Sequence, residues 1–142
     1  MNISLKYTSL EVNKTAEPQG HVEINNNSSI TSVESVEGKV AVGFAFTSIY
    51  EPNVGAIRIM GRLTIDDSPE NMERAVKEWE ASGRKNLPAD IAENIHNSII
   101  FNCVTEAVIL AREIQLPPPM PMPHISITDK LKQHEETGNY IR

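Results

Sequence analysis

Cysteine, aromatic side chains and positive charge are all scarce in this chain. A single cysteine, Cys103, excludes any disulfide within one copy. It lies in an apolar helical stretch, where a buried thiol acts as a small hydrophobe. One Trp, three Tyr and three Phe leave most of the core to aliphatic residues. Thirteen Lys and Arg stand against nineteen Asp and Glu, a formal charge of −6. Nucleic-acid affinity rests largely on cations facing phosphates, so that balance argues for no nucleic-acid partner. Arg58 and Arg62 lie near each other but do not make a basic face on their own. The longest apolar run, Ile99 to Ala111, is broken by Asn102, Thr105 and Glu106 and is too short for a membrane span. Met1 to Leu10 alternates and lacks the basic region and apolar block of a signal peptide. The expectation is a cytoplasmic protein without membrane insertion.

The signatures of common chemistry are missing as well. There is no GxxxxGK[ST] loop, GxGxxG, HExxH or GxSxG. His21, His96, His124 and His134 are scattered, with no cysteine or carboxylate at ligand spacing, whereas zinc takes about four ligands. Neither a metal nor a cofactor is expected. Glu70, Glu73, Glu78 and Glu80 read as the solvated side of an amphipathic helix, and Asp66-Asp67 as stabilisers of its start. No nucleophile stands beside a partner base, so no catalytic residue is assigned and the chain reads as a binding protein, not an enzyme.

What is present is a clear change of period. Ile3, Leu5 and Tyr7 alternate with polar residues, and Leu10 and Val12 continue in the opposite phase, which predicts a strand with a bulge. His21 to Glu37 reads as a polar edge strand, broken around Asn25-Asn26-Asn27. Val40, Val42, Phe44 and Phe46 point one way along the next strand. After a turn at Glu51-Pro52-Asn53, Ile57, Ile59, Leu63 and Ile65 share a face of the following one. Ser68-Pro69 then opens a helix with Met72, Ala75, Val76 and Trp79 on one side and Gly83 as its stop. This order predicts an α+β domain.

A second helix, from Pro88 to about Gln115, would be about 40 Å long. Ile91, Ile95, Ile99, Cys103, Ala107, Leu110 and Ile114 trace one apolar stripe; Ile100, Val104, Val108 and Ala111 trace another about 100° round. A surface helix on a small sheet needs only one. The second stripe predicts a homo-oligomer, with Ile95, Ile99, Ile100, Cys103, Val104, Ala107, Leu110 and Ile114 assigned to the interface. Leu116 to Pro123 holds five prolines and must be extended. It reads first as a strap over its own fold and second as a PxxP ligand. Residues 1–127 are assigned to one domain and 128–142 to a mobile polar tail.

Three stretches resemble the SecB family of protein-export chaperones. Gly61-Arg62-Leu63-Thr64-Ile65 is similar to its Gly-Ile-Phe-Thr-Ile pattern. Ile99-Ile100-Phe101, followed by Glu106, matches the spacing of its Ile-Leu-Phe-Pro-Tyr-Ala-Arg-Glu helix, with Asn102 in place of the proline and Thr105 of the arginine. Leu116-Pro117 with Pro123 is similar to the segment in which two prolines flank alternating leucines. The resemblance implies a four-stranded antiparallel sheet packed against two C-terminal helices, assembled as a dimer of dimers. It also implies an ATP-independent holdase that keeps non-native polypeptides in apolar grooves. Phe44, Phe46, Met60, Phe101, Met120 and Met122 are the expected client-binding residues, methionine being adaptable to varied apolar partners. The alternative is an adaptor or dedicated, antitoxin-type chaperone for one specific client protein.

Overall fold

The computed structural model describes residues 1–120. Four strands are followed by two helices: β1 (Asn2–Lys14), β2 (Glu23–Val36), β3 (Lys39–Glu51), β4 (Gly55–Asp66), α1 (Pro69–Ala81) and α2 (Ala89–Glu113). The strands form one antiparallel sheet in the order β1-β4-β3-β2, so the expected α+β architecture is the observed one. Central β3 and β4 carry the strictest alternation, because every second side chain must enter the core. Val40, Val42, Phe44, Phe46 and Tyr50 from β3 and Ile57, Ile59, Leu63 and Ile65 from β4 are buried on the helix side.

The connections follow from local backbone chemistry. Glu37 and Gly38 both adopt positive φ (50° and 81°) between β2 and β3. That is the conformation of a two-residue hairpin whose twist matches the strands. Gly61 sits between the Lys6 carbonyl and the Phe44 ring, and a Cβ there would stand 2.7 Å from Phe44 Cζ. Its missing side chain is what lets Phe44 lie flat on β4. The bulge expected in β1 falls between Tyr7 and Ser9.

Strand β2 corrects the reading of its sequence. It runs unbroken through Asn25-Asn26-Asn27, and its only irregularity lies between Ile30 and Ser32. Asparagine has low strand propensity, but pairing with β3 along the whole length overrides it. Asn26 also bonds outside the ladder: its Oδ1 accepts from the buried Ser48 hydroxyl at 2.6 Å, and its Nδ2 donates to the Pro119 carbonyl at 2.9 Å.

Helix α1 begins as expected, with Ser68 Oγ accepting from the Asn71 amide at 3.3 Å and Pro69 in the first turn. Met72, Ala75 and Trp79 face the sheet, and Gly83 at φ 75° ends the run. Arg74 forks onto Asp90 at 3.1 and 2.9 Å, tying α1 to the first turn of α2. This exposed bidentate pair holds Asp90 below the usual carboxylate range.

Candidate functional site

The inward row of α2 is Ile91, Ile95, Ile99, Cys103, Ala107 and Ala111, all fully buried. Its constant step of four residues winds slowly round the helix, so the row is inclined to the axis. A helix buried along such a row lies obliquely on the sheet, and α2 touches all four strands. Polar ties fix it there. Ser28 Oγ meets His96 Nδ1 at 2.6 Å, Tyr7 donates to the Asn102 carbonyl at 2.9 Å, and Lys14 Nζ donates to the Ile114 carbonyl at 3.1 Å. Beyond the helix, Tyr50 donates to the Pro117 carbonyl at 2.6 Å. Proline offers no N–H, so the prolines of the strap can be hydrogen-bonded only through their carbonyls. Donors from β3 and β2 reach them at Pro117 and Pro119, with Leu116 and Pro119 buried. As far as Met120, the segment is a strap over its own fold.

Two further rows of the same pitch stay uncovered on α2: Ile100–Val104–Val108 and Phe101–Thr105–Ile109. Phe101 is 76% exposed, Ile109 50% and Ile100 38%, with Val104 and Val108 half-buried. The polar residues among them turn back on the helix. Thr105 donates to the Phe101 carbonyl at 2.9 Å and Asn102 to the Ser98 carbonyl at 2.8 Å. Between Glu93 and Arg112 the only formal charge is Glu106. The result is an apolar ridge along the outer flank of the long helix, joined on the β1 side by the exposed Leu10 and Tyr7.

The structure redistributes the residues assigned from sequence. Ile95, Ile99, Cys103 and Ala107 are spent on the chain's own sheet and offer no surface to another subunit. Ala111, placed in the second stripe, belongs to the buried row because the row steps by four. Ile100, Val104, Leu110 and Ile114 keep part of their surface. Phe44 and Phe46 are corrected as client contacts, since both lie in the core beneath the helices. Met60, 44% exposed, points from β4 to the opposite side of the sheet, and Met120, 43% exposed, ends the strap. Met122 and the tail at 128–142 lie outside the described residues. Of the expected contacts among the described residues, only Phe101 stands on the ridge. Ile109 was missed, although its spacing of eight from Phe101 puts the two on one side of the helix.

Burial governs the titrating groups. It pushes the Cys103 thiol up to about 12, helped by the Glu106 carboxylate, and Tyr50 up to about 12. A thiol so disposed is inert as a nucleophile near neutrality. Ser28 and His96 form a hydroxyl–imidazole contact that the sequence did not reveal, and no carboxylate bonds the ring among the described residues. The contact couples α2 to β2. Among the described residues no three His, Cys, Asp or Glu side chains gather as a metal site, and no helix is long and apolar enough to cross a membrane. No family model, curated protein or solved structure matches the chain.

Proposed function

We propose that this chain is a SecB-like, ATP-independent holdase that works in the cytosol as a homo-oligomer, a dimer of dimers. The observation that carries the reading is the ridge of α2, with Ile100, Phe101 and Ile109 exposed, Val104 and Val108 half-buried, and Glu106 the one formal charge in that span. Apolar surface gains roughly 25 cal/mol per Å² when removed from water, and contiguous patches of a few hundred Å² mark binding sites. The Ile100–Val104–Val108 row, lower and half-buried, suits a second copy. Phe101 and Ile109 project from the helix and suit the apolar side chains of an unfolded client. Met120 offers a further flexible contact at the strap's end.

The test is light scattering of a chemically denatured client diluted into buffer with the full chain and no nucleotide. Suppression at near-equimolar chain is expected, with loss in Phe101→Asp and Ile109→Asp. Undiminished client aggregation with the wild-type chain refutes the holdase. The narrowness of the ridge, two side-chain rows on one helix, favours one alternative: an adaptor recognising a single partner. A pull-down returning one stoichiometric protein supports that alternative; a broad set of unfolded chains supports the holdase.

A further inference from the structure

We infer that the free edge of β2 and the flank of α1 together form a strand-addition groove for an extended, uncharged polypeptide segment with apolar side chains at alternate positions. The inference deepens the polypeptide-binding reading above and rests on it, but it concerns a different surface from the ridge of α2.

One wall is backbone. β2 is the last strand of the sheet, and its far edge makes no backbone hydrogen bond to any other element among the described residues. A cavity of about 380 Å³ lies along five consecutive residues of this edge, Thr31 to Ser35, with Val76, Trp79 and Arg84 opposite. A second, of about 560 Å³, continues from Ser35 and Val76 to Met72 and Pro69 at the start of α1. Because the two share Ser35 and Val76, they read as one trough between strand and helix.

The chemistry of the trough specifies its occupant. A strand edge presents alternating N–H and C=O groups, which only another extended backbone satisfies along its length. Side chains of an added strand alternate between the two faces of the sheet. Every second one therefore points at Val76 and Met72, and the others point to the open side. Charges along the trough balance in sign: Glu34 lies 3.8 Å from Arg62 and Arg84 3.7 Å from Glu80, and Glu73 and Lys77 line the second cavity together. With acid matched by base the trough favours neither an acidic nor a basic segment, so the neutral segment is preferred. The usable edge runs from the bulge after Ile30 to the Glu37-Gly38 turn. At about 3.3 Å per residue that admits roughly five residues in register.

Trp79 is the sole tryptophan, so its emission reports occupancy. The full chain is titrated with a fluorescein-labelled peptide of alternating threonine and valine, closed by a lysine at each end. Anisotropy and Trp79 emission are followed together. Two N-methylated versions of the peptide, one methylated at the valines and one at the threonines, keep every side chain and each remove one backbone edge. Saturable binding is expected, with a Trp79 response, a loss of tenfold or more for one of the two N-methylated peptides, and a similar loss in Val76→Lys. No binding, equal affinity for all three peptides, or an unchanged Kd in Val76→Lys overturns the groove. So does Trp79 emission that shifts with protein concentration but ignores peptide, which would give the edge to a second copy. A wild-type chain that suppresses client aggregation yet fails these titrations loses the groove alone. One that binds through the groove without suppressing aggregation loses the holdase alone.

Discussion

Tyr50 shows how one side chain joins the sheet to the strap. Its ring is buried, and its hydroxyl is the donor for the Pro117 carbonyl. Burial favours the neutral phenol, which raises its titration from 10.0 to about 12. In the unfolded chain the same group ionises near 10, so its contribution is intact below pH 10 and drains away between pH 10 and 12. Tyr50→Phe leaves that carbonyl without its donor and should cost about 1–2 kcal/mol near neutrality. The wild type should lose stability on passing pH 10 more steeply than the variant, so that the gap between their urea midpoints narrows. A gap that holds constant to pH 11.5 would mean that the hydroxyl does not anchor the strap.

At the scale of elements, Gly61 is the point on which β1, β3 and β4 converge. It pairs with Tyr7 on one side and Phe44 on the other. Gly61→Ala pushes a methyl against the Lys6 carbonyl and the Phe44 ring. Overpacking of this kind typically costs 1–3 kcal/mol, to be read as a lowered denaturation midpoint with the circular dichroism of the native state retained. Much of this architecture was legible beforehand. The alternation at Val40–Phe46 and Ile57–Ile65 is dictated by the pleat, and Ser68-Pro69 and Gly83 punctuate α1 through well-understood backbone preferences. The continuity of β2 was not legible, since Asn25-Asn26-Asn27 favours turns and only the long pairing with β3 decides otherwise. Neither was the placing of Phe44 and Phe46. Alternation shows that they share a face, but not that the helices cover it. Ala111 was misplaced for a related reason: sequence shows two apolar stripes, while the tilt at which a helix crosses a twisted sheet selects which residues face in.

At the scale of the whole molecule, the proposed assembly places a second copy on the outer flank of α2. Val104 lies midway along the Ile100–Val104–Val108 row and is only half-buried within the chain. Val104→Asp should therefore leave the fold intact. On the proposed dimer of dimers, mass photometry should show it shifted from the wild-type mass towards smaller species, because a carboxylate in a dry interface has no partner. An unchanged mass with a native spectrum would remove that row from the assembly. The candidate site as a whole was only partly foreseeable, with Phe101 found, Ile109 missed and the trough beside α1 unsuspected. Surfaces of this kind arise from what neighbouring elements fail to cover, and no run of sequence encodes that directly.

The interruptions in β1 and β2 have a wider consequence. Only the two outer strands carry one: after Tyr7 in β1 and after Ile30 in β2, while β3 pairs with β4 without a break. A foreign strand laid along either border falls out of step where the ladder slips, so neither border can template a long uninterrupted ribbon. On the proposed reading as a binder of unfolded chains, the protein can thus offer short lengths of backbone to them without seeding fibres of its own.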